Sequence, residues 1–193
     1  MGIIYSFAND YSEGCHPSIL EALAKTNLVQ QAGYGDDEHS QNVKKIICEL
    51  AQNPRLDVHL VAGGTLTNLV VLSSILKPFE SVVSATSGHI FVNETGAIEA
   101  TGHKVEAAYT RDGKLRPADI LPFLNKARGY HVVRTRAVYI SNSTELGTIY
   151  TKKELSELSE FCRKNDLLLF MDGARLPMAL TATSNDLTLS DIA

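Results

Sequence analysis

Apolar positions along the chain switch repeatedly between helix-like spacing and strand-like runs. Residues 17–29 carry Ile19, Leu20, Leu23, Ala24 and Leu28 on one helical face, just after Pro17. Residues 37–51 repeat the pattern with Val43, Ile46, Ile47 and Leu50. The two glycines of Gln31-Ala-Gly-Tyr-Gly-Asp-Asp37 predict a loop between them. Val58-His59-Leu60-Val61 predicts a short strand closed by Gly63-Gly64, and a helix over 65–76 follows until Lys77-Pro78 stops it. Further strands are predicted over 81–85 and 104–109, with a helix over 117–126 after the Asp112-Gly113 turn.

The last third reads most sharply. Residues 137–140 predict a strand. Thr151-Lys-Lys-Glu154 predicts a capping box, in which the Thr and Glu side chains satisfy each other's free backbone N–H groups. The helix it opens turns Leu155, Leu158, Phe161 and Cys162 inward. Residues 167–171, Leu-Leu-Leu-Phe-Met, form a wholly apolar strand, a pattern typical of a parallel sheet covered on both faces. The βαβ-like order from 58 to 172 predicts the α/β class, with a mostly parallel sheet flanked by helices. Residues 1–50 read as an N-terminal helical arm and 51–193 as the α/β large domain.

Composition narrows the function classes. The chain has 193 residues, 44% hydrophobic and 21% charged, as in an ordinary globular domain. Its net charge of −4 and pI near 5.8 offer no broad positive field for phosphates, so no nucleic-acid partner is expected. No apolar run approaches the roughly 20 residues of a membrane span, so no membrane partner is expected either. The first ten residues show no leader. Cys15, Cys48 and Cys162 are an odd, widely spaced set, which fits a reducing cytoplasmic setting better than a disulfide framework. The histidines show no metal-ligand spacing, and no metal is expected.

Candidate chemistry gathers at predicted strand ends. Gly63-Gly64-Thr65 joins a strand to a helix, where free backbone N–H groups and the helix dipole suit a phosphate; such a turn also uses Gly and Thr for geometry alone. It matches neither a P-loop nor a dinucleotide fingerprint. Asp172-Gly-Ala-Arg175 follows the most apolar strand, at the edge where parallel sheets bind ligands. Asp172 there can meet a protonated heterocycle and Arg175 a carboxylate, or the two can form a structural pair. His89, past another strand end, can stack on a ring, act as acid or base, or bond within its loop. Glu94 and Glu99, which flank Gly96, are candidate acid–base carboxylates or surface and capping groups, and Asn142-Ser143-Thr144-Glu145 again lies at the carboxyl edge.

Together these stretches resemble the low-specificity threonine aldolases, of the β-eliminating lyase group of pyridoxal-phosphate (PLP) enzymes with the aspartate-aminotransferase-like fold. The resembling pieces are Phe7-Ala-Asn-Asp-Tyr-Ser-Glu-Gly14 with His16-Pro17, Gln31-Ala-Gly-Tyr-Gly35, Gly63-Gly-Thr65 with Asn68, Gly88-His-Ile90 with Glu94-Thr-Gly96, and Met171-Asp-Gly-Ala-Arg175. The resemblance implies that Gly64 and Thr65 hold the PLP phosphate, that His89 stacks on the ring and that Asp172 pairs with the ring nitrogen. It implies that Arg175 binds near the ring hydroxyl and the substrate carboxylate, and that Asn9 contacts that carboxylate too. Relatives often place a histidine near 142–145, where this chain has Asn-Ser-Thr-Glu and Glu145 is the substitute. His89, Glu94 and Glu145 are the expected catalytic residues.

The implied reaction is cleavage of a β-hydroxy-α-amino acid, threonine or allo-threonine, to glycine and an aldehyde by a cytoplasmic homodimer or homotetramer. The family's Schiff-base lysine stands beyond the Asp-x-x-Arg pair. None of this chain's ten lysines has that context, so the chain is expected to be truncated before the lysine and the small C-terminal domain. It is then inactive alone, with PLP absent or non-covalent. The alternatives are a non-catalytic PLP-binding or oligomerisation fragment, or another PLP lyase or aminotransferase of the same fold.

Overall fold

The computed structural model describes residues 6–126 and 129–193; Met1–Tyr5, part of the stretch read for a leader, lies outside them. Two compact units divide the chain, Met1–Lys45 and Ile46–Ala193. In the first, α1 (Pro17–Thr26) begins with a proline where a missing N–H does no harm, and the His16 ring accepts from the Ser18 N–H. No residue of α1 is buried. α2 (Glu38–Leu50), within which the division falls, starts after Asp37, whose carboxylate accepts from both the N–H and the hydroxyl of Ser40.

The second unit is built on a sheet. α3 (Gly64–Ile75) precedes β1 (Glu80–Ala85), and the short α4 (His89–Val92) and α5 (Ala97–Ala100) lead to β2 (Lys104–Ala108). α6 (Pro117–Lys126), β3 (Arg134–Ser141), α7 (Lys152–Lys164) and β4 (Leu168–Asp172) follow, then α8 (Leu176–Thr181) and α9 (Leu189–Ile192). All strand pairs are parallel, in the order β2-β1-β3-β4.

Alternation along the inner strands sorts the core into two layers. Val83, Val138 and Ile140 face one way and pack with Ile120 of α6 and Leu155, Leu158 and Cys162 of α7. Val82, Ala137 and Tyr139 face the other way and pack with Leu72 of α3, Ile90 of α4 and Ile98 of α5. Helices thus cover both faces, which is why β1 is buried along its whole length despite Glu80, Ser81 and Ser84. α7 carries the capping box read from the sequence, with Thr151 Oγ1 accepting from the Glu154 N–H and Glu154 from the Thr151 N–H. None of the described helices is long and apolar enough to cross a membrane.

One local expectation is corrected. Residues 58–61 form no strand: among the described residues no strand pairs with them, and Leu60 is 54% exposed. Apolar alternation alone does not hold a strand without a ladder partner. β4 has the two-sided cover its apolar sequence predicts: Leu169 and Met171 pack on one core layer and Phe170 on the other, and among the described residues β3 pairs with it.

Candidate active site

The chain reverses direction across the sheet at one place. From β1 it steps out to β2, then returns past β1 to β3 and continues to β4. Parallel sheets bind ligands beyond the carboxyl ends of strands next to such a reversal. A cleft of about 220 Å³ lies there, lined by Gly64 and Thr65 of α3, His89 of α4, Ser141, Ser143 and Glu145 after β3, and Asp172, Ala174 and Arg175 after β4.

Asp172 is held from three sides. Its Oδ2 accepts from the Tyr139 hydroxyl at 2.6 Å and lies 3.5 Å from Asn68 Nδ2, and its Oδ1 accepts from the Ala174 N–H at 2.9 Å. Burial, and then the bond to Asp172, push the Tyr139 hydroxyl far above its ordinary pKa, so it remains a donor. The register Ser141↔Asp172 sets β4 beside β3 so that Tyr139, two residues before the strand end, reaches the carboxylate.

His89 starts α4, and its side chain keeps 39% exposure. Its backbone N–H donates to Glu145 Oε1 at 2.9 Å, an oxygen that also accepts from the Ser141 hydroxyl at 2.6 Å. Glu145 thereby serves the helix N-terminus and stands in the cleft wall. Behind His89, Glu94 Oε1 lies 2.8 Å from the ring Nδ1 and accepts from Asn68 Nδ2 at 2.6 Å. Glu94 Oε2 is buried with no partner among the described residues, an arrangement that costs about 1–3 kcal/mol in an ordinary core. The turn after Glu94 uses left-handed backbone at Thr95, φ 55°, and Gly96, φ 73°.

The α3 N-terminus completes the wall. Gly63 caps it with φ 89° and no side-chain hydrogen bond, so first-turn N–H groups face outward without a side-chain acceptor. This donor set fits a planar group carrying a phosphate and a protonated ring nitrogen: N–H groups and the Thr65 hydroxyl for the anion, a fixed carboxylate for the nitrogen, and an imidazole for the ring face. PLP has this chemistry.

The model of the Beta-eliminating lyase family matches residues 7–189. The chain belongs to that family. Among its relatives, the low specificity L-threonine aldolase of Pseudomonas aeruginosa is 32% identical over 175 residues, covering 90% of this chain and 50% of the relative. The solved structure of Leishmania major threonine aldolase is 53% identical with a TM-score of 0.96, covering 98% of this chain and 55% of that one. The chain spans about half the length of these beta-eliminating lyase relatives. A PLP-bound C–S lyase from Staphylococcus hominis, 14% identical with a TM-score of 0.57, shares the fold.

In this family member the structure brings Gly64, Thr65, His89, Glu145, Asp172 and Arg175 to one cleft, with Glu94 behind His89. Asn9 belongs to the first unit, where its side-chain oxygen accepts from the Tyr11 N–H and the Ser12 hydroxyl. Tyr139 and Ser141 were missed by the sequence reading, and Asn68 had no role in it. A tyrosine inside an apolar strand looks like core, and only the pairing of β3 with β4 shows its partner.

Proposed function

We propose that the protein containing this chain is a PLP-dependent aldolase that splits threonine, allo-threonine or related β-hydroxy-α-amino acids into glycine and an aldehyde. Residues 51–193 supply its PLP-binding large domain and residues 1–50 its helical arm. The observation that carries the proposal is the Asp172 carboxylate, fixed at the end of β4 in the same cleft as the uncapped N-terminus of α3. The threonine aldolase names of the relatives support the reaction class.

PLP, when bound, supplies an electron sink for the carbanion left as the Cα–Cβ bond breaks. The rest falls to this chain's residues. Gly64 and Thr65 bind the phosphate through N–H groups and the Thr65 hydroxyl. Asp172 accepts from the protonated ring nitrogen, and Tyr139 and the Ala174 N–H keep it aimed. The His89 ring covers one face and excludes water from it. Arg175 holds the substrate carboxylate and orients the amino acid. His89 and Glu145 line the cleft and take and return the β-hydroxyl proton, with Glu94 supporting His89.

No lysine lines this cleft among the described residues, and this chain alone is expected to have PLP absent or held non-covalently. The exposed apolar side chains Leu20 and Leu23 of α1 and Leu66 and Val70 of α3 support association into a homodimer or homotetramer; the odd, widely spaced cysteines support a cytoplasmic setting.

Spectrophotometric titration tests the proposal. Saturable PLP binding is expected, weakened at least about tenfold by Asp172→Asn through loss of a charge-assisted bond, with no mass adduct after borohydride. Absence of PLP binding by the protein containing this chain overturns the proposal. The protein containing this chain is expected to release glycine and acetaldehyde from threonine. Amino transfer to an oxo acid would move it to the aminotransferases of this fold.

A further inference from the structure

We propose that Glu94 is a positioning residue serving two partners at once: its Oε1 holds His89 in the Nδ1–H form and, through Asn68, steadies Asp172. The proposal rests on the functional reading above only in taking His89 and Asp172 as the two groups that face PLP.

Glu94's side chain is fully buried, with 0% exposure, so it cannot meet substrate directly. Its Oε1 lies 2.6 Å from Asn68 Nδ2 and 2.8 Å from His89 Nδ1. A carboxylate oxygen only accepts, so Nδ1 carries the hydrogen that faces Glu94. The same Asn68 nitrogen lies 3.5 Å from Asp172 Oδ2. One carboxylate therefore ties together α3, the start of α4 and the end of β4. Its other oxygen, Oε2, is buried and unpartnered among the described residues, so its hydrogen bonds there go to these two partners alone. A buried carboxyl group with one oxygen unpartnered among the described residues is expensive in a core and is explained when its two neighbours must be held in one arrangement.

The test is NMR on the ¹⁵N-labelled 193-residue chain without PLP. Long-range ¹H–¹⁵N correlation reads the His89 ring nitrogens above the ordinary histidine range, at about pH 8.5. Nδ1 is expected to carry a hydrogen in the wild type and in Glu94→Gln, whose amide oxygen still accepts. In Glu94→Leu the hydrogen is expected to move to Nε2. The Asn68 side-chain amide hydrogens are expected to exchange at least about tenfold faster in Glu94→Leu than in the wild type.

A wild-type His89 without a hydrogen on Nδ1 overturns the proposal, and that result needs no variant to fold. An unchanged ring pattern in a folded Glu94→Leu chain overturns the hold on His89. Unchanged Asn68 exchange overturns the shared hold. Because none of these samples contains PLP, failure of PLP binding counts against the proposed function alone.

Discussion

Tyr139 donates its hydroxyl hydrogen to Asp172 Oδ2 at 2.6 Å, from the strand next to the one that ends in Asp172. The ring itself is core, 1% exposed and packed edge-on against Phe170. One residue thus fills the layer beneath the site and fixes the carboxylate above it.

Tyr139→Phe keeps the ring and removes the donor. PLP affinity is expected to fall by about 10–150-fold, the equivalent of about 1.5–3 kcal/mol for one hydrogen bond to a charged group. The fold is retained. PLP titration beside thermal unfolding checks this; an equal fall in both would assign Tyr139 to packing alone.

Acid is expected to weaken the second unit through Asp112 and Glu154. The Arg116 hydrogen bond lowers the Asp112 carboxyl to about 2 against the pull of burial. For Glu154, burial is the largest single influence and raises it, but the Lys114 bonds at 2.6 and 2.8 Å and the Thr151 donors outweigh it and the net direction is down. Both groups bind protons more weakly folded than unfolded, so their stabilisation is present above about pH 4.5 and is lost as pH falls toward about 2. Urea midpoints measured down this range should fall, and the gap between wild type and Glu154→Gln should shrink.

The thiols should separate by burial. Burial pushes Cys162 up to about 11, while Cys15 is exposed. An aromatic disulfide reagent at about pH 8 is expected to label Cys15 in the folded chain and Cys162 only after denaturation. Half-buried Cys48, whose Sγ donates to the Leu56 carbonyl at 3.7 Å, should react between them.

Leu158→Ala removes a side chain of 0% exposure where α7 meets the sheet. A loss of about 2–5 kcal/mol in unfolding free energy is expected, from lost transfer energy plus a cavity. Denaturant unfolding measures it. Because Leu158 lies in the layer opposite Tyr139, PLP affinity of the folded variant should stay near that of the wild type.

Much of the site was legible because it sits at strand ends. Asp172 follows an apolar run, Gly64 and Thr65 join a turn to a helix, and His89 follows β1 by four residues. The short helices α4, α5 and α8 were not, since each is too brief to show a period. The role of Asn68 was not legible either, because its partners, Glu94 and Asp172, stand 26 and 104 residues away.

By itself the sequence determined the alternation of helices and strands, the capping box at Thr151 and the residue types at the carboxyl edge. These are local properties: period, caps and turns act within a few residues. The tertiary structure decided that residues 58–61 form no strand and that Tyr139, Asn68 and Glu94 converge behind Asp172 and His89. Those outcomes depend on strand order and register, which bring together side chains that no local pattern relates.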